Sequence, residues 1–188
     1  MVERIVTSGR EVLATHGYDA FTTNRVAAAA GISPGSLYQY FTDKTAILDL
    51  IIDRYWEDVT ERVVAALGER AGDAGWSMIR ETADALLTAL ESDRVLLRVL
   101  AEELPAAQNR ARRAMLEQRV RELLALYLRA NPQLSRRPDP AVAAWVVVLA
   151  LENLALRWVL DEPAIGRDVV LDEIGALVAG YVQGQEPV

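Results

Sequence analysis

Apolar positions along this chain recur at intervals of three and four residues and nowhere alternate convincingly with a period of two, so the pattern predicts an all-α protein. A first helix is predicted from about Val2 to His16, with Ile5, Gly9, Val12, Leu13 and His16 on one face and Gly17 ending it. Two short helices follow, separated by Gly31-Ile32-Ser33. A long fourth helix starts at Asp43, whose carboxylate can cap it, and carries Leu48, Ile51, Ile52, Tyr55, Val59 and Val63 as an apolar stripe until it fades near Gly68. Gly68 to Gly75 holds three glycines and no large apolar residue, and is predicted to be a loop. Beyond it, one helix runs from Trp76 to about Leu90, another is capped by Ser92 and stopped by Pro105, and a third extends from about Ala106 to Asn131-Pro132. After a proline-bearing loop, Asp139-Pro140 reads as a cap followed by proline at the first helical position, opening a helix to about Leu160. A last helix, from about Asp168 to Gln183, brings the predicted number to nine.

Composition narrows the chemistry. With 188 residues, 52% apolar and 25% charged, the chain can bury roughly 70% of its unfolded surface as a soluble globular protein. Zero cysteines exclude a disulfide scaffold, a thiolate zinc site and a cysteine nucleophile. Its one histidine, His16, falls on the inner face of the first helix and reads as a packing or capping residue. No catalytic residue, metal or cofactor is therefore predicted, and composition tilts against an enzyme. The net charge of -7 argues against a generally basic surface, yet residues 1 to 45 carry four cations (Arg4, Arg10, Arg25, Lys44) and four anions (Glu3, Glu11, Asp19, Asp43), so the acid lies elsewhere. No signal peptide is visible, and the longest apolar run, Ala141 to Leu151, falls short of the ~20 residues a membrane span needs, which predicts a cytoplasmic protein without a membrane partner.

The most informative stretch runs from Thr22 through Lys44 and reads as a helix-turn-helix. Thr22 or Thr23 can cap the first short helix, and Gly31 supplies a left-handed turn. Ser33 caps the second with Pro34 at its first position, while Leu37 and Phe41 point inward with Val26 and Ile32. Ser36, Tyr38, Gln39 and Tyr40 are left for the outer face, the shape that enters a major groove; the plainer alternative is a helical hairpin that completes a core.

At these residues the sequence resembles the TetR family of one-component bacterial transcriptional regulators, whose pattern T-T-x-x-x-A-x-x-A-G-x-S-x-G-x-L-Y-x-Y-F-x-x-K is filled at every defined position from Thr22 to Lys44. The resemblance implies a DNA-binding domain over residues 1–45 and an effector-binding and dimerisation domain over residues 46–188. It implies that Thr23 and Lys44 contact phosphates, that Tyr38 and Tyr40 pack against the DNA backbone, and that Asn24, Arg25, Ser33, Pro34, Gly35, Ser36 and Gln39 lie near bases or phosphates. Of these, Gln39 suits adenine and Arg25 guanine in bidentate fashion. One departure stands out: the sequence opens with Val2, Glu3 and Arg4 where many members carry a basic arm ahead of the first helix.

The same resemblance implies that the last two helices make a four-helix bundle across a twofold axis. At 100° per residue, Val147, Leu151, Leu154 and Trp158 share one face of the eighth helix, and are assigned with Ile174, Leu177, Val178 and Tyr181 to a homodimer interface. The opposite face, with Trp145, Leu149 and Glu152, is assigned to the interior. Glu152 there either lines a ligand cavity that favours a cation or hydrogen-bond donor, or pairs with Arg98 or Arg157. Trp76, Met78, Arg98 and Met115 are further candidate ligand contacts. The expectation is a homodimeric repressor whose affinity for double-stranded operator DNA is changed by a small-molecule effector; the rival is a helical ligand-binding or enzymatic domain that does not bind DNA.

Overall fold

A computed structural model of the chain describes residues 1–69, 76–104 and 106–184, leaving out the side chains of residues 68, 69, 76, 106–109, 111, 112 and 116. Among the described residues there are nine α-helices and no strand: α1 (Val2–His16), α2 (Thr23–Ala29), α3 (Pro34–Leu37), α4 (Lys44–Glu69), α5 (Trp76–Glu91), α6 (Arg94–Arg98), α7 (Ala106–Ala130), α8 (Pro140–Asp161) and α9 (Arg167–Gln183). A π-helical turn, Val99–Glu103, prolongs α6, and a 3-10 turn, Pro132–Leu134, follows α7.

Local chemistry sets the boundaries. Gly17 ends α1 at φ 71°, donating its N–H to the Leu13 carbonyl at 2.9 Å. Asp43 accepts the Ala46 N–H at 2.9 Å to open α4, and Asp139 accepts the Ala141 N–H at 2.8 Å to open α8. The cap of α6 is Asp93, not Ser92. The Asp93 carboxylate accepts the Leu96 N–H at 2.9 Å and binds Arg10 at 2.8 Å, whereas the Ser92 hydroxyl turns back to the Ala89 carbonyl at 2.7 Å and closes α5.

The chain divides into two compact units, one formed by Met1–Glu57 with Asp93–Arg113, the other by Asp58–Ser92 with Ala114–Val188. In the first, Ile5, Leu13, Phe21, Leu37, Ile47 and Ile51 are wholly buried. Gly9 lets α1 lie close on α4: a Cβ there would meet Ile51 Cδ1 at 2.8 Å. Arg54 grips the Glu3 carboxylate and holds its pKa below the ordinary value, and the Glu103 carboxylate accepts the Tyr18 N–H at 2.8 Å. Burial holds the Tyr55 phenol protonated far into the alkaline range. His16 is exposed rather than packed inward, because α1 ends at a turn that faces solvent there.

In the second unit α5 packs on α8 and α9 around Leu128, Ala143, Val147, Val178 and Val182. Arg167, at the start of α9, donates to Asp84 Oδ1 at 2.8 Å and Thr88 Oγ1 at 2.7 Å and pairs with Glu91; Arg80 reaches Asp168 at 2.9 Å and Asp172 at 3.1 Å. Taken over its whole length, beyond the Ala141 to Leu151 run, α8 is long and apolar enough to cross a membrane, the one such helix among the described residues. Its buried side, with Ala143, Ala144, Val147, Val148, Ala155 and Val159, is central to this unit's core.

Candidate nucleic-acid interface and C-terminal cavity

The residues from 22 to 44 fold through caps and turns encoded within the segment itself. Thr22 Oγ1 accepts the Arg25 N–H at 3.3 Å and starts α2. Gly31, at φ 62°, then reverses the chain, donating to the Ala28 carbonyl at 3.1 Å while Ile32 donates to that of Ala27 at 3.0 Å. Ser33 Oγ accepts the Ser36 N–H at 3.1 Å, with Pro34 at the first position of α3. Val26 and Leu37 are fully buried and Phe41 nearly so, so three apolar anchors hold α2 and α3 in one arrangement.

What remains outside is the surface the spacing predicts. Asn24, Arg25, Ser33, Pro34, Gly35 and Gln39 are exposed, Tyr38 and Tyr40 are about half-exposed at 53% and 47%, and Thr23, Ser36 and Lys44 are partly covered. The Tyr38 hydroxyl lies 3.1 Å from Thr23 Oγ1, joining a side chain of the turn after α3 to the start of α2. Lys44, the chain's single lysine, holds its ammonium 5.1 Å from the Tyr18 ring centroid. Hydroxyls, two amides, one arginine and one lysine thus lie on or beside one short helical hairpin, a donor set suited to phosphates and base edges.

The C-terminal unit contains a cavity of about 280 Å3 between α5, α7, α8 and α9. Its walls include Met78, Ile79, Leu124, Val147, Leu151 and Val178. Among the described residues, the polar side chains on its lining are those of Thr82, Tyr127 and Gln183. A second space of about 50 Å3 shares Thr82 and Leu151 with it and is bordered by Glu117 and Glu152.

Residues 5–51 match the family described as bacterial regulatory proteins, tetR family, and residues 77–181 match the tetracyclin repressor-like C-terminal domain. The chain belongs to the TetR family. Among curated proteins, the nucleoid occlusion factor SlmA of Actinobacillus pleuropneumoniae is 38% identical over 50 residues, 27% of this chain. The match spans about a quarter of that relative's length. Among solved structures, the fatty acid degradation regulator FadR of Bacillus halodurans superposes with a TM-score of 0.73 at 17% identity, covering 98% of this chain and 97% of FadR. FadR of Bacillus subtilis, solved with stearoyl-CoA, gives a TM-score of 0.72 at 16% identity over 99% and 100% of the two chains. At such identities these two share the fold.

Both matches place the chain among bacterial regulatory proteins of the tetR family. Several residues assigned from the sequence to its C-terminal half fall elsewhere. Trp145 and Leu149 are exposed, at 48% and 37%, on the outer side of α8, while Val147 and Leu151 face the cavity. Trp145 and Leu149 thus exchange places with Val147 and Leu151 relative to the sequence expectation, because α5 and α9 cover the Val147 side, whereas Glu152 stays on the inner side and Leu154 on the outer. Val147, Ile174 and Val178 are buried within the protomer and so are not available to a partner, whereas Leu154 and Leu177 are exposed at 41% and 49%. Trp158 donates its indole N–H to the Ile165 carbonyl at 3.1 Å, and Arg137 stacks on Tyr181 at 4.3 Å, both within the chain. Arg98 and Met115 are exposed and Arg98 belongs to the first unit, so neither lines the cavity; the Trp76 side chain lies outside the described residues. Met78 does line it, and Glu152 borders only the smaller space. Sequence reasoning missed Ile79, Thr82, Leu124 and Tyr127, the two hydroxyls being single polar groups on separate helices that carry no signal until the opposite wall is known.

Proposed function

We propose that the protein is a homodimeric transcriptional repressor that binds a two-half-site operator and is released by a small-molecule effector. The observation that carries this reading is the capped α2–turn–α3 arrangement, whose anchors are buried and whose outer residues are phosphate- and base-competent. In it, Thr23 and Lys44 hold phosphates, Tyr38 and Tyr40 pack against the backbone, and Arg25 and Gln39 read bases, while Asn24, Ser33, Pro34, Gly35 and Ser36 lie against the duplex. The effector part is supported by the C-terminal cavity, close to the lower end of the ~300–1,000 Å3 range of small-molecule sites. FadR of Bacillus subtilis, which shares the fold, was solved with stearoyl-CoA. The homodimer is supported by exposed apolar side chains on the two terminal helices: Val142, Trp145, Leu149 and Leu154 on α8, Val169 and Leu177 on α9. A cytoplasmic location follows from a DNA target.

The reading is tested by enriching a random duplex pool on the purified protein and measuring fluorescence anisotropy of the recovered sequence against scrambled competitor over a salt series. Competitor-resistant binding to a sequence with twofold-related halves, weakening with salt, is expected. Failure to enrich any sequence overturns the DNA reading, and enrichment of a single unrepeated half-site overturns the dimer.

A further inference from the structure

We infer that the C-terminal cavity takes a neutral, largely apolar molecule of about nine or ten heavy atoms with one hydrogen-bonding group, recognised by Tyr127 and Thr82. The inference rests on the reading of this cavity as the effector site. Tyr127 Oη and Thr82 Oγ1 are both buried, both belong to residues on the cavity wall, and neither has a hydrogen-bond partner among the described residues. A folded protein rarely leaves a buried hydroxyl unpaired, because burying it costs free energy that its hydrogen bond would return. Two such groups on one wall are explained if a ligand supplies the missing partner.

The rest of the lining defines what else that ligand is. Among the described residues, no Arg, Lys, His, Asp or Glu lines the main cavity. A carboxylate or phosphate placed there would lose its hydration with no counter-charge, and an ammonium would fare no better, since Glu117 and Glu152 border only the smaller space behind Thr82. The size follows from the 280 Å3 available, at roughly 30 Å3 per water-sized group. An acidic acyl chain or a nucleotide-bearing thioester is therefore the wrong chemistry for this cavity, and an alcohol, ketone or similar neutral amphiphile is the right one.

The test uses three probes of near-equal size, 1-octanol, octanoate and octylammonium, titrated calorimetrically into the full chain at neutral pH. Octanol is expected to bind at least tenfold more tightly than either ion. Tyr127→Phe and Thr82→Val are each expected to weaken octanol about fivefold, the net worth of one neutral hydrogen bond, while melting no lower than the natural protein. Equal or tighter binding of octanoate or octylammonium, no saturable binding of octanol, or unchanged octanol affinity in the double variant would each overturn the inference. A parallel anisotropy titration separates this outcome from the proposed function. Selective octanol binding without any operator binding refutes the regulator reading and leaves the ligand chemistry standing; operator binding with tighter octanoate binding does the reverse.

Discussion

Two glycines of the helix-turn-helix respond in opposite ways to the same substitution. Gly31 sits at φ 62°, a conformation in which an L side chain crowds its own backbone, although nothing else lies within 4 Å of a Cβ placed there. Gly31→Ala is thus expected to cost about 1–2 kcal/mol. Gly35 has an ordinary helical conformation, and a Cβ there would meet only Ser33 Oγ, at 3.8 Å, an ordinary contact. Its Gly→Ala change recovers backbone entropy and stabilises by about 0.5–1 kcal/mol. At about 2–4 °C per kcal/mol for a chain of this size, Gly31→Ala melts roughly 2–8 °C lower and Gly35→Ala roughly 1–4 °C higher. DNA affinity follows another order. The new methyl at position 35 stands on the exposed side of α3, where an approaching backbone has to accommodate it; overpacking a close contact costs about 1–3 kcal/mol, or about 5- to 140-fold in Kd. Circular dichroism melts at fixed protomer concentration, paired with anisotropy on the enriched duplex, read both quantities. A Gly35→Ala protein that binds as tightly as its parent refutes the claim that α3 meets DNA at this position. One that melts lower refutes the argument from open space.

Lys44→Ala should reduce the slope of log K against log salt by about 0.9, as expected for one lost phosphate contact, and bound duplex should protect this single lysine from amine-reactive reagent in a mass-spectrometric assay. Because Arg54 lowers the pKa of Glu3 in the folded chain, the pair stabilises fully above the ordinary carboxyl value of 4.5 and loses its effect as pH falls through the lowered folded value. Glu3→Gln should therefore melt below the natural protein at pH 7, with the gap closing in acid; a gap constant with pH refutes the linkage. Trp145→Glu combined with Leu177→Glu should convert the proposed dimer to monomer in sedimentation at micromolar concentration, whereas an unchanged dimer mass would exclude the α8–α9 outer face as the interface.

The N-terminal half was readable from the sequence because its determinants are local. Thr22, Gly31, Ser33 and Pro34 act within a few residues of where they stand, and the structure finds each cap and turn where the chemistry puts it. Helix number and order were readable for the same reason. The orientation of α8 was not. Its run from Ala141 to Leu151 is apolar around the whole circumference, so periodicity cannot say which side faces inward, and Trp145 and Val147 exchanged places. Ser92 and Asp93 are adjacent caps of similar propensity, and the choice was made by Arg10, 83 residues away, whose ion pair draws Asp93 into place. The π-helical turn after α6, where Leu104 donates to Val99 at 3.1 Å, carries no local signature at all. The cavity hydroxyls were hidden for a related reason: a threonine or tyrosine in an apolar stripe looks like any half-buried residue until the opposite wall is known.

The first unit is discontinuous in the chain, and this bears on the order in which it is made. Met1–Glu57 contains the whole helix-turn-helix, but the acceptor for the Tyr18 N–H is Glu103 and the partner of Arg10 is Asp93. At a synthesis rate of ~5–20 residues per second, the ribosome needs about 2–9 s to pass from residue 57 to residue 103. Through that interval the nascent DNA-binding region has its own core and caps but lacks the carboxylates that finish the end of α1 and anchor its side. It becomes complete only after the first helix of the C-terminal unit has been translated, which makes the unit's final closure a long-range folding event despite its short local helices.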